Sequence, residues 1–310
     1  MNDRFKAGHA AVLGGGTMGT DISAIFGAGG WSVQVIEPER TRWDAARERI
    51  ARSVAQLDSA SAVLKLEFRE SLSAVDWTDV KIAVECVPEN LPLKQAVFEE
   101  LEKRAPAAIP LTSNSSSFPI SAIAAGCKTR SRMLGTHFFM PAHLVPAVEV
   151  VRSDSSDPAV CDWCCALFKA LGKVPVNVKK DVPGFLANRL QHALAREAFA
   201  LMDEGFASAE DIDAAVRYGF GFRYLAAGPV LQKDISGIDV HCAAATTMYP
   251  HLANNTEPAR VLRERVASGK IGMKAGEGFY RWSPESAAKE KARYERALLQ
   301  ALAILKQDLD

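Results

Sequence analysis

The chain has 310 residues, 48% of them hydrophobic and 24% charged, the profile of a water-soluble globular protein with room for one large or two ordinary domains. Lys+Arg and Asp+Glu both number 37, so no net field draws the protein to nucleic acid or an anionic membrane surface. No signal core follows Met1, no apolar run reaches spanning length, and the six cysteines form no paired framework, all of which point to the reducing cytoplasm.

The first half alternates short β-rich runs with helical segments. His9–Leu13 reads as a strand, Thr17–Ala28 as a helix and Ser32–Ile36 as a strand. A helix pattern over 39–57 follows, then a strand over 81–87, a helix over 91–103 and a strand over 109–113. This βαβ alternation predicts a doubly wound, mostly parallel sheet, an α/β Rossmann domain.

Between the first strand and helix stands Gly14-Gly15-Gly16-Thr17-Met18-Gly19, with the spacing of a dinucleotide loop. Gly14 allows the tight turn, Gly16 lets a pyrophosphate approach the backbone, and Gly19 lets the helix pack closely. Thr17 and Met18 open the helix whose N-terminus faces the phosphates. Glu37 ends the next strand about 20 residues on, where an acid accepts hydrogen bonds from the adenosine ribose and repels a 2′-phosphate. NAD is therefore expected over NADP, although Arg40 and Arg42 stand close by.

Ser113-Asn114-Ser115-Ser116-Ser117 follows a strand that should end on the cofactor side, where hydroxyls can bond a substrate oxygen or simply cap a turn. His137 ends one apolar run and Glu149 lies inside the next, joined by the loop that contains Pro141 and Pro146. A carboxylate bonded to one imidazole nitrogen fixes the tautomer and strengthens the other nitrogen as a base. Cys161-x-x-Cys164-Cys165 lies in a helical apolar pattern without a second such pair, so no metal site is expected. His9, His192, His241 and His251 read as helix or strand-edge residues, and His143 as either a cleft or a loop residue.

The character changes after Lys179-Lys180-Asp181-Val182-Pro183-Gly184, turn chemistry that suits a domain joint. Helical patterns follow over 185–204, over 209–218 behind Ser208, from Pro229 to about Tyr249, over 258–268 and over 285–307. Two domains are expected, residues 1–182 for the nucleotide and an all-α C-terminal domain over 183–310.

With Pro183-Gly184-Phe185-Leu186-Ala187-Asn188-Arg189 and Lys274-Ala275-Gly276-Glu277-Gly278-Phe279-Tyr280, these segments resemble the 3-hydroxyacyl-CoA dehydrogenase family over essentially the whole chain. The resemblance implies that Ser116 is the active-site serine, His137 the catalytic base, Glu149 its partner and Asn188 the asparagine beside the substrate oxygen. It further implies cofactor contacts at Glu89, Lys94, Ser116 and Lys274, NAD as cofactor, and a homodimer built by the C-terminal domain. Two departures stand out. Met140 replaces the family's asparagine, and the stretch between Glu37 and Lys81 is too short for the helical hairpin that contacts coenzyme A in the family's acyl-CoA enzymes.

Gly219-Phe220-Gly221-Phe222-Arg223-Tyr224 resembles the L-gulonate 3-dehydrogenase (lambda-crystallin) branch, whose segment also carries an arginine. A planar guanidinium at Arg223 suits either a substrate carboxylate or a surface or interface salt bridge, and the resemblance favours the carboxylate. The segment Lys179–Phe185 and the chain length are similar to a pyridine-carboxylate dehydrogenase of the same superfamily. The expected activity is NAD-dependent oxidation of the secondary alcohol of a 3-hydroxy acid or similar small carboxylated alcohol. A short-chain 3-hydroxyacyl-CoA dehydrogenase is the alternative. A non-catalytic NAD-binding, crystallin-like protein is a third reading, opposed by the intact Ser116, His137, Glu149 and Asn188.

Overall fold

Alternate residues of the first strand, β1 (His9–Leu13), serve opposite faces of the sheet. Ala10 and Val12 pack into one hydrophobic cluster, and Ala11 and Leu13 into another. A strand buried on both sides is what a parallel α/β sheet demands. The computed structural model describes residues 8–57 and 64–308. Its strands continue with β2 (Ser32–Ile36), β3 (Lys65–Arg69), β4 (Val80–Glu85), β5 (Leu111–Ser113), β6 (Met133–Phe138), β7 (Ala147–Val151) and β8 (Val174–Val178). They form one eight-stranded sheet in the order β3-β2-β1-β4-β5-β6-β7-β8. All neighbours are parallel except β6 and β7.

Helices cover both faces. α1 (Thr17–Ala28), α2 (Trp43–Gln56) and α5 (Pro158–Ala170) contribute Ile22, Phe26, Ile50 and Phe168 to one cluster. α3 (Leu91–Arg104) and α4 (Ile120–Ile123) contribute Phe98, Leu101 and Ile123 to the other. Each such side chain removed from water contributes about 1.5–3 kcal/mol. The strand order reverses at β1, which pairs in parallel with β2 on one side and β4 on the other, so a crevice opens at the C-terminal ends of these strands. Asn90 caps α3 by accepting from the Leu93 N–H, which fixes the helix start just beyond that crevice.

The chain divides into two compact units, Met1–Asn188 and Arg189–Asp310. Helices of the second half are α6 (Ala187–Asp203), α7 (Ala209–Ala214), α8 (Pro229–Ser236), α9 (Ile238–Met248), α10 (Arg260–Ala267) and α11 (Pro284–Lys306). The single helix expected from Pro229 to Tyr249 is in fact broken at Gly237, whose φ of 97° no other residue type adopts easily. The helix read over 209–218 also ends early, giving way to a wide turn over Ala215–Phe220. Within this unit Phe199 stacks on Phe279 at 5.5 Å and the Arg265 guanidinium covers the same ring at 4.2 Å. None of its described residues is fully buried, and Phe206, Phe222, Ile235 and Val266 are exposed. Among the described residues no helix is long and apolar enough to cross a membrane.

Candidate active site

The glycine turn sits in the crevice. Gly14 has a φ of 107°, and a Cβ there would lie 2.7 Å from the Cys86 carbonyl oxygen at the end of β4. At Gly19 a Cβ would strike the Gly14 carbonyl at 1.8 Å, so the close approach is to the turn itself. Gly16 is different: a Cβ would meet no protein atom within 4 Å. The protein's own packing does not require glycine there, whereas a pyrophosphate at the N-terminus of α1 does. Thr17 and Met18 form the first turn of that helix.

Glu37 is buried where β2 ends. Its Oε2 accepts the Gly15 N–H at 3.0 Å and its Oε1 the Glu39 N–H at 3.0 Å. A carboxylate offers about four acceptor positions, so ribose hydroxyls still find room. Arg40 is paired with Glu70, and Arg42 lies 2.9 Å from Glu39. Both nearby guanidinium groups are thereby engaged by carboxylates, and this set of residues suits a nucleotide without a 2′-phosphate.

Glu89 organises the serine turn beyond β5. Its Oε1 accepts from the hydroxyls of Ser115 and Ser117, each at 2.6 Å, and from the N–H groups of Ser116 and Ser117. Burial works against its ionisation, but these bonds and Lys94 hold its carboxyl below the usual range. Lys94 is buried on α3, with its ammonium 2.8 Å from Glu85 and 3.3 Å from Glu89. Glu85 also accepts from the Ser113 hydroxyl and the Val87 N–H, yet burial is the stronger influence and pushes its carboxyl up. Lys94 thus points into the protein, where its ammonium also donates to the Val87 carbonyl at 3.2 Å. Ser116 itself is exposed, its carbonyl accepting from the Asn188 side-chain amide at 3.2 Å.

His137 and Glu149 meet across the antiparallel pair of β6 and β7. The His137 Nδ1 lies 2.8 Å from Glu149 Oε2, and both residues are buried. Phe139 and Phe185 flank the imidazole, with ring centroids 4.6 and 5.7 Å away. Glu149 Oε1 accepts the N–H groups of Leu186 and Ala187 at 2.9 and 2.8 Å. Burial alone would raise this carboxyl; the bonds from His137 and the two N–H groups outweigh it and hold the group low. An ionised carboxylate accepts from Nδ1–H and leaves Nε2 as the basic nitrogen.

Two buried charges hold the loop between these strands. Asp21 on α1 accepts the Ala142 N–H at 3.2 Å, lies 3.3 Å from His143 Nδ1 and binds Arg49 through two nitrogens. His143 also bonds Gln56 at 2.6 Å, so it belongs to loop packing. From the other side the Lys173 ammonium donates to the carbonyls of Ala142, His143 and Val145. Asp181 accepts the N–H groups of Ile120 and Ser121 and so ties the segment after β8 to α4. Sequence reading passed over Asp21, Glu85, Lys173 and Asp181. The one signal was Asp21, the only charged residue within the twelve of α1.

In the first unit, Ser116, His137, Glu149 and Asn188 are joined by contact or by a shared segment. Arg223 and Lys274 belong to the second unit, each exposed on a short 3-10 turn, over Gly221–Leu225 and Met273–Ala275. His241 bonds Ser236 at 2.9 Å, and His9 begins β1. Among the described residues no group of His, Cys, Asp and Glu could hold a metal ion.

The comparisons with known proteins agree with this geometry. Residues 9–182 match the family model described as 3-hydroxyacyl-CoA dehydrogenase, NAD binding domain, and residues 184–282 match the C-terminal domain of the same family. A 5-formyl-3-hydroxy-2-methylpyridine 4-carboxylate 5-dehydrogenase of Mesorhizobium japonicum is 30% identical over 96% of this chain and 98% of its own. A crystal structure of an enzyme of that activity, described as an NAD+ dependent dismutase, superposes with a TM-score of 0.91 at 30% identity over 96% of this chain and 98% of its own. Human mitochondrial hydroxyacyl-coenzyme A dehydrogenase is 33% identical over 88% of this chain and 91% of its own. Lambda-crystallin of Oryctolagus cuniculus is 32% identical over 76% of this chain and 77% of its own. With a nucleotide crevice, a His–Glu pair and matched family models across both halves, the chain belongs to the 3-hydroxyacyl-CoA dehydrogenase family and is an NAD-dependent dehydrogenase acting on CH–OH groups.

Proposed function

We propose that the protein oxidises the secondary alcohol of a small substrate bearing a free carboxylate, such as a 3-hydroxy acid, with His137 as the general base. The observation that carries this reading is the buried His137–Glu149 pair, whose 2.8 Å contact leaves Nε2 to take the alcohol proton. Glu149 remains ionised and stabilises the imidazolium that forms. Ser116 and Asn188, linked at 3.2 Å, are the polar groups we assign to the substrate oxygen as it becomes a carbonyl. The Gly14–Gly19 turn and Glu37 would hold NAD, which would accept the hydrogen leaving the alcohol carbon together with its electron pair. Residues 1–182 serve the nucleotide and 183–310 serve substrate and self-association.

Two observations favour a free carboxylate over a coenzyme A thioester. Between Glu37 and Lys81 the described residues form α2 and β3, with no helical hairpin. The TM-score of 0.91 with the pyridine-carboxylate enzyme exceeds the 0.73 with an Escherichia coli 3-hydroxybutyryl-CoA dehydrogenase. Arg223, exposed and planar, is the carboxylate clamp in this reading. The free cysteines fit a reducing compartment, and the cytoplasm is the proposed location.

A homodimer completes the proposal. None of this unit's described residues is buried, and its amphipathic helices leave apolar side chains that a covering surface would remove from water. A second copy offers matching apolar faces through two-fold symmetry. Screening NADH formation over hydroxy acids, their coenzyme A thioesters and pyridine alcohols tests the function. Turnover confined to the thioesters would transfer the assignment to the acyl-CoA class.

A further inference from the structure

The segment between β8 and α6 touches the reacting residues at every step. Asp181 ties it to Ile120 and Ser121. Phe185 lies buried with its ring 5.7 Å from that of His137. Leu186 and Ala187 donate to Glu149, and Asn188 to the Ser116 carbonyl. Phe185 has a φ of 48°, in the left-handed region that a residue with a bulky side chain seldom enters. Such a conformation persists only where surroundings impose it, and it clusters where function needs it. Here the Phe185 N–H donates to the Val182 carbonyl at 3.0 Å, which holds the turn, and its ring is buried.

We propose that Phe185 is a positioning residue for the base: its left-handed backbone aims the next two N–H groups at Glu149 Oε1, leaving Oε2 alone to face His137. The inference rests on His137 being the base. Without those donors the carboxylate could turn about its last torsion and offer either oxygen. With them, one oxygen is occupied and the plane of the group is set. The donors also spread negative charge away from Oε2 and so moderate its pull on the imidazolium. The groups facing Glu149 are His137 from β6, the register neighbour Val176 from β8 and the two backbone N–H groups, so among these only His137 titrates beside it.

Ala187 is the first residue of α6, the helical position where proline is best tolerated, and proline there deletes one donor. The experiment follows the His137 imidazole by NMR titration in the full-length protein. Ala187→Pro should raise its midpoint by roughly half to one pH unit, since a hydrogen bond to a charged group is lost. Ala187→Gly, which keeps the N–H, should leave it in place. An unmoved midpoint in Ala187→Pro, or equal shifts in both, overturns the proposal. A second pair guards against misfolding. Phe185→Asn removes the ring but tolerates left-handed backbone, whereas Phe185→Val removes the ring and resists it. Only the valine variant should shift the midpoint. Equal shifts would mean that ring contact, not backbone direction, positions the pair. Turnover of His137→Ala separates the two readings. Retained activity sinks the assignment of the base, while loss of activity beside an unmoved Ala187→Pro titration sinks only the role of Phe185.

Discussion

His137 and Glu149 are register partners, directly opposite one another where β6 runs antiparallel to β7, and their side chains close to 2.8 Å. The sheet itself therefore sets the pair, and loss of the imidazole should not disturb the fold around it. His137→Ala should lower kcat by about two to four orders of magnitude, the usual effect of losing a general base. NADH affinity, read by fluorescence titration, should stay near that of the wild type. Near-normal turnover would assign the base to another group.

Asp21 should govern acid stability. Burial opposes its ionisation, but His143 and Arg49 together hold its carboxyl below the ordinary 3.8. A carboxyl lowered in the folded state adds stability that is complete above its unfolded value and is lost as pH falls through the folded one. Glu149, lowered from 4.5, acts with the same sign. Stability to urea should thus be level above about pH 5 and decline steadily below pH 4. Asp21→Asn, which removes the charge facing His143 and the partly exposed Arg49, should cost about 1–3 kcal/mol at neutral pH and flatten that decline. An unchanged acid slope would remove Asp21 from the account.

Glu37→Ala should erode the preference for NAD over NADP, because the carboxylate between the Gly15 and Glu39 N–H groups is the charge that a 2′-phosphate must meet. Initial rates with both nucleotides decide it. Equal rates by the unaltered protein would defeat the prediction.

Arg223→Met should raise the Michaelis constant for a carboxylated alcohol, since a charge-assisted bond is worth about 1.5–3 kcal/mol. Lysine should restore only part of the loss, being unable to make the two-point contact. Efficient use of a thioester by both wild type and Arg223→Met would favour the acyl-CoA assignment.

Light scattering at micromolar concentration should report a dimer, and its melting temperature should rise with protein concentration. A monomer with a concentration-independent transition would show that the exposed Phe206, Phe222 and Ile235 are covered by no second copy.

The parts of the fold that were readable in the sequence are those where local pattern and tertiary environment agree. β1, α1 and β2 are largely apolar segments with glycines between them, and their limits are as read. β3 escaped notice because its alternation, Lys-Leu-Glu-Phe-Arg, offers only two apolar residues among charges, too short a run to mark a strand by itself. β8, Val-Pro-Val-Asn-Val, carries a proline that argues against a strand, yet it lies at the sheet edge where proline is allowed. The break at Gly237 was hidden because glycine inside a helical pattern is locally indistinguishable from a tolerated one. Of the site, the pair His137 and Glu149 and the glycine turn were visible in sequence. The supports were not. Lys173 and Glu85 look like any solvated charge until the fold shows what they face, and the direction of the Leu186 and Ala187 N–H groups is a backbone property with no residue signature.

Met140 lies just ahead of the stretch that Lys173 grips through Ala142, His143 and Val145, and 69% of its own surface is open. The loop is thus held through its middle, while the Met140 side chain, two residues beyond β6, projects outward. None of the hydrogen bonds that hold the imidazole and its carboxylate comes from Met140, so exchange of that side chain should leave the proton-transfer pair in place.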